Sequence, residues 1–304
     1  MPSARIVSLL SAATEIVAAL GAADLLVAIS HECDFPADIM HLPRVTASAL
    51  DRDAVSADID AAVRRLSAAG RPIFALDAND VRRLAPTVIL TQSLCDVCAV
   101  HEGDVRDLAD LVSPAPMIVP LAGTTLDGVW EDITTIGAAI GRVGEAAALL
   151  AALSHRLRRV HKTLKAARAP RPRVAVLEWL DPLYVAAHWT PDLVHQAGGT
   201  GVLASAGQHS RRISIGLVRD ADPDLILFAP CGFDVERSAR EARALLATSE
   251  WSWARERATW ALDGNALTSR PGPRLTDAVE VIASIVAPTL FAPPPAQYAR
   301  RLDL

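Results

Sequence analysis

The chain has 304 residues, of which 51% are hydrophobic and 21% charged, with a formal net charge of -5. Such a composition excludes a disordered or fibrous protein, and the length suits about two globular domains at roughly 100 to 200 residues each. Thirty Lys and Arg stand against 35 Asp and Glu, and the short basic patch from Arg156 to Lys165 is too small to argue for nucleic acid as a partner.

The predicted elements begin with an apolar strand over residues 5–10, a small-residue turn, and a helix closed by Gly21, with Ser11 or Thr14 as its cap. A second apolar run, residues 25–30, leads into the polar loop His31-Glu32-Cys33-Asp34-Phe35-Pro36. Asp51, Asp53, Asp58 and Asp60 read as solvated turns and a helix start. Residues 77–84 form a short helix stopped by Pro86, and residues 87–92 form a buried β-branched strand. This alternation predicts a parallel sheet flanked by helices.

The pattern then recurs. Residues 81–90 align without gaps on residues 218–227, matching a helix end, a proline and an apolar strand, and Arg173-Val174-Ala175-Val176-Leu177 restarts the strand-first order of residues 5–10. The chain therefore divides into an N-terminal α/β lobe over 1–125, a linking helix over 126–168, and a C-terminal α/β lobe over 169–304. The linker contains no proline between residues 126 and 167 and reads as one helix of roughly 60 Å, with Gly141 and Gly144 as its points of weakness. Pro191 to Ala197 reads as a further helix capped by Gly198-Gly199.

Ligands of open parallel sheets sit beyond the carboxyl ends of the strands. That rule selects His31, Glu32, Cys33 and Phe35, then Gln92, Cys95 and Cys98, then Glu178, Trp179, His188 and Trp189, and finally Cys231 and Phe233. If the two lobes face each other, these residues share one cleft. All four cysteines fall in the set. Cys95 and Cys98 have the CxxC spacing that lets two thiolates share one ion, with Cys33, Cys231 or His31 completing a zinc or iron-sulfur site; buried packing and a redox pair remain alternatives. Among only thirteen aromatic residues, Trp179, Tyr184 and Trp189 form a local group suited to stacking on a flat ligand. There is no GxSxG, HExxH or phosphate-cradling loop, so hydrolytic chemistry finds no motif.

The first strand and its turn through Glu15, the later run from Val27 to Pro36, the repeated proline-strand unit and the closing Arg270-Pro271-Gly272-Pro273-Arg274 resemble the helical-backbone (class III) substrate-binding proteins of ABC importers, and most of all their vitamin B12-binding members. The resemblance runs from Arg5 to Val286. It implies two Rossmann-like lobes joined by a long helix, a large cofactor-like small-molecule ligand with cobalamin or a related corrinoid first, no catalysis, and an ABC permease as partner. In that comparison Glu102 and Glu236 occupy loop positions from which the family presents acidic residues to permease arginines.

Two expectations pull against it. No apolar run reaches the ~18 residues of a membrane span, and residue 5 already begins the first strand, so the chain as written is expected to stay in the cytoplasm. The rival function is a cysteine-rich metal or iron-sulfur protein or enzyme built on Cys33, Cys95, Cys98 and Cys231, with Glu32 or Glu178 moving protons.

Overall fold

The computed structural model describes residues 4–93, 102–110 and 112–303. Cys95 and Cys98 lie outside the described residues. The chain forms two compact units: the first comprises residues up to 54, 58–123 and 127–151, and the second 55–57, 124–126 and 152 onward.

The first unit is built on a four-stranded parallel sheet in the order β2-β1-β5-β6, from β1 (Ile6–Ser8), β2 (Leu26–Ala28), β5 (Val88–Gln92) and β6 (Met117–Leu121). Ile6, Val7 and Ser8 are fully buried, as a central parallel strand covered on both faces requires. The helices α1 (Ser11–Ala19), α3 (Ala78–Leu84) and α4 (Glu102–Asp110) pack against this sheet, and β3 (Thr46–Ser48) pairs antiparallel with β4 (Phe74–Leu76) around α2 (Ser56–Ala68). The cap of α1 differs from expectation: Leu10 occupies the cap position without a side-chain bond, and Thr14 instead reaches the buried hydroxyl of Ser8 at 2.8 Å.

The second unit holds a mixed sheet in the order β10-β8-β7-β11-β12-β13, with β9 paired to β7. Its strands are β7 (Arg173–Leu180), β8 (Leu183–Val185), β9 (Thr200–Gly201), β10 (Arg211–Arg212), β11 (Leu225–Phe228), β12 (Ala258–Leu262) and β13 (Ala299–Arg301). The helices are α7 (Thr190–Gln196), α8 (Ile215–Asp220), α9 (Val235–Leu246), α10 (Gly264–Leu267) and α11 (Leu275–Val286). The parallel arrangement holds for β7, β11 and β12, but β8, β10 and β13 run antiparallel to their neighbours. The reason is local. Leu180 pairs with Leu183, leaving only Asp181 and Pro182 for the turn, and so short a connection forces a hairpin.

The internal repeat extends to single hydrogen bonds. Ala85 and Asp222, each just before the aligned proline, are both left-handed, at φ 44° and 43°. Within its own unit, the arginine that precedes the first strand clasps that turn. Arg5 donates to the Leu84 carbonyl at 2.8 Å, and Arg173 donates to the Ala221 and Asp222 carbonyls at 2.6 and 3.0 Å. The following strand is then set in register, with Thr87 N–H on the Arg5 carbonyl and Asp224 N–H on the Arg173 carbonyl, both at 2.9 Å.

The single long helix expected across 126–167 is instead two, α5 (Leu126–Ala139) and α6 (Val143–Ala167). Gly141 takes φ 71°, the left-handed position that ends a helix, so the first stops there and the chain restarts. At Gly137 a Cβ would stand 2.6 Å from the Ala146 Cβ, so glycine is needed where the two helices meet. The second helix, 25 residues long, spans about 38 Å rather than 60 Å.

The loop after β6 is held from inside. Asp132 on α5, 8% exposed, accepts the Ala122 N–H at 3.2 Å and the Gly123 N–H at 2.9 Å, and burial raises its pKa above the ordinary carboxylate value. Asp132→Ala is expected to cost about 1–3 kcal/mol in urea denaturation, because a buried and a part-buried N–H lose their acceptor, and Asp132→Asn about half as much. Equal stability of all three proteins would refute this role.

Candidate functional site

The chain leaves β2 through Ile29, which receives the returning segment as a short parallel bridge to Arg44. Ile29 N–H donates to the Pro43 carbonyl at 3.0 Å and Val45 N–H to the Ile29 carbonyl at 3.1 Å. The intervening loop is thus closed at its base. Its polar start is folded back on Arg44, whose guanidinium nitrogen lies 3.1, 2.9 and 2.9 Å from the carbonyls of Ser30, His31 and Cys33. A cavity of about 490 Å³ opens within this unit, lined by His31, Glu32, Asp34, Arg44 and Arg52 with the apolar Met40 and Leu50.

His31 is the chemically distinctive member. Its backbone N–H donates to the Thr46 hydroxyl oxygen at 2.9 Å, and its Nδ1 lies 2.7 Å from the same oxygen. Thr46 is buried and within 3.1 Å of the Ser30 hydroxyl. The assignment with Nδ1–H donating to Thr46, which in turn donates to Ser30, leaves the other ring nitrogen as an unpaired acceptor; an N–H there would be an orphaned buried donor, the rarer and costlier case. Nε2 then carries a lone pair. It is buried with no hydrogen-bond partner among the described residues, 3.8 Å from a Glu32 carboxylate oxygen. The ring also packs on Phe74, with centroids 5.4 Å apart. Burial lowers its pKa to about 4, helped by the positive charges of Arg52 and Arg44, so the imidazole is neutral at neutral pH.

The remaining residues selected from the first unit divide by depth. Phe35 is 46% exposed on the same loop, and Gln92 ends β5 half-buried. Cys33 is 1% exposed, its sulfur 3.2 Å from the Thr14 hydroxyl. Glu102 opens α4, and its side chain lies outside the described set. Among the described residues no three His, Cys, Asp or Glu side chains are grouped to hold a metal ion. The zinc and iron-sulfur expectation therefore finds no support where Cys33 and Cys231 are placed.

In the second unit the aromatic group is not one platform. Trp189 is buried, and its indole N–H donates to the Thr268 carbonyl at 2.8 Å, which makes it a core residue. Phe233 is 2% exposed, edge-on to Trp179 at 5.4 Å, with the Arg237 guanidinium 3.4 Å over its ring. Trp179, half-buried on β7 and paired in register with Tyr184, keeps one accessible side, next to half-buried Glu178. His188 is half-buried and left-handed at φ 51°. Cys231 is exposed. Glu236, in the first turn of α9, is paired with Arg300.

Three participants had no signal in the sequence. Thr46, Arg44 and Arg52 stand beyond the loop that follows β2, and only the return of the chain to Ile29 brings the first two to His31.

The chain belongs to the periplasmic binding protein family, whose model matches residues 6–253. It is similar in fold to a periplasmic haem-binding protein of Pseudomonas aeruginosa (19% identity, TM-score 0.71, covering 99% of this chain and 98% of that one). It is likewise similar to an ABC transporter substrate-binding protein of Listeria monocytogenes (21%, 0.69, 94% and 99%) and to the periplasmic vitamin B12-binding protein of Vibrio cholerae (22%, 0.65, 94% and 97%). No curated protein matches the chain. The protein is thus a non-catalytic substrate-binding protein of the ABC-transporter type, as the resemblance implied, and the rival reading as an enzyme falls away. The expected cytoplasmic location is overturned as well, because the family acts outside the cytoplasm. No helix among the described residues is long and apolar enough to cross a membrane.

The depressed pKa of His31 fixes a sign. In the unfolded chain the ring takes up a proton below about pH 6.5, and in the folded protein only below about pH 4, so its contribution to stability is complete above pH 6.5 and is lost as pH falls toward 4. That loss is expected to be on the order of 1–3 kcal/mol in denaturant titrations between pH 7 and 4, and His31→Gln is expected to flatten that part of the slope. An unchanged slope in the variant would contradict the assignment.

Proposed function

We propose that this binding protein takes up a metal-centred tetrapyrrole, with a corrinoid as first candidate and haem as second, and presents it to an ABC permease. One observation carries the reading: His31, a neutral imidazole, lines a cavity and keeps one nitrogen, the buried Nε2, without a hydrogen-bond partner among the described residues, and such a nitrogen serves an axial metal position once a side-chain rotation brings it to the cavity. The tetrapyrrole brings its own equatorial nitrogens, so the protein supplies only the axial donor.

The rest of the cavity suits the periphery of such a ligand. Met40 and Leu50 offer apolar contact, and Arg44 and Arg52 offer donors for carboxylate or amide side arms. Glu32 and the exposed Phe35 belong to the same loop, Gln92 ends β5 on the far side of β1 in the same sheet, and Trp179 with Glu178 is the corresponding polar and aromatic edge of the second unit taken by itself. The haem and vitamin B12 binding of the similar Pseudomonas and Vibrio proteins supports the same ligand class. Glu102 and Glu236 are proposed as permease contacts, the latter by exchanging Arg300 for a permease arginine.

Titration with cobinamide, cobalamin and haem, followed by visible absorbance, is expected to give a saturable spectral change with at least one of them. His31→Ala is expected to weaken it at least tenfold and to remove the spectral component of nitrogen ligation. No spectral change with any of the three ligands would end the proposal, and full retention of the wild-type spectrum in His31→Ala would remove the axial role.

A further inference from the structure

A second pair of histidines lies wholly in the second unit. His188 follows β8, and His209 precedes β10, the strand that pairs with β8 through Arg211 opposite Val185 and Arg212 opposite Tyr184. Reciprocal backbone bonds continue this pairing outward. His188 N–H donates to the Gln208 carbonyl at 2.8 Å, and Gly207 N–H donates to the His188 carbonyl at 3.0 Å. The two imidazoles are consequently carried side by side on paired backbone, with ring planes 86° apart and centroids 5.3 Å apart.

His188 Nε2 and His209 Nδ1 are 3.4 Å apart. An N–H···N hydrogen bond favours about 2.9–3.0 Å, so this contact is long for one. A tetrahedral ion that binds two imidazole nitrogens at about 2.0–2.1 Å holds them about 3.3–3.4 Å from each other, which is the separation found. The other nitrogen of His188 faces a hydroxyl: Nδ1 lies 3.4 Å from Ser210 Oγ, which itself accepts the Ala187 N–H at 3.2 Å. With Nδ1 on the side of Ser210, Nε2 is the nitrogen turned to His209. His188 is also held in the left-handed region at φ 51°, a backbone conformation that side-chain-bearing residues adopt sparingly and that is found disproportionately at functional positions.

We infer that His188 and His209 form a two-imidazole chelate for a borderline divalent transition ion, zinc, nickel or copper(II), whose remaining coordination positions are filled by water. His209 is exposed, so those positions open to solvent. The site is formed by residues of the second unit alone, and it requires no tetrapyrrole.

The test uses untagged protein, stripped with a chelator and titrated with Zn²⁺ and Ni²⁺ by calorimetry and with Cu²⁺ by its visible spectrum. One saturable equivalent is expected. His209→Ala, and His188→Asn, chosen because asparagine tolerates the left-handed backbone, are each expected to weaken it at least tenfold while their circular dichroism melts stay cooperative. His31→Ala is expected to leave it unchanged, which separates this site from the tetrapyrrole reading. No saturable uptake, or uptake that survives both substitutions, would overturn the inference.

Discussion

One buried hydroxyl determines what the cavity of the first unit is able to do. Thr46 Oγ1 accepts the His31 backbone N–H and lies 2.7 Å from its Nδ1, so a single atom fixes both where the imidazole stands and which nitrogen keeps its proton. Everything chemical at the site follows from that choice. With Nδ1 spent on Thr46, Nε2 is left as a desolvated lone pair, and the adjacent Arg44 and Arg52 discourage a second proton. Arg44 has a structural use besides: it gathers three carbonyls of the loop that carries His31, groups that would otherwise need water.

The two units solve the same folding problem by the same local device. In each, an arginine ahead of the first strand clasps a left-handed turn before a proline, and the strand after the proline then pairs beside the first. The units diverge where the chemistry is. The first keeps an all-parallel sheet and spends its β2 exit on a closed polar loop, whereas the second adds the hairpin β7–β8 and the edge strand β10, which bring His188 and His209 together.

Much of this was legible from residue order. Apolar runs bounded by proline and glycine announce β1, β2, β5, β7 and β11, and the alignment of residues 81–90 with 218–227 announces the repeat, because burial of a parallel strand demands an unbroken apolar segment. The break at Gly141 was visible only as a glycine, since periodicity continues across it and the sign of φ is not written in hydropathy. The candidate site was half legible. Position after a strand singles out His31, Glu32 and Phe35. It equally singles out Cys33, Trp189 and Phe233, whose side chains turn inward to Thr14, Thr268 and Trp179. Thr46 has no motif at all; its importance arises from the return of the chain to Ile29, a long-range event.

The most direct test of this account is ¹⁵N nuclear magnetic resonance of the His31 ring in protein labelled at histidine. The account predicts a neutral ring at pH 7 with the proton on Nδ1, an Nε2 shift typical of an unprotonated nitrogen, and no titration until the pH approaches about 4. A proton found on Nε2, or titration of the ring near pH 6.5, would contradict it.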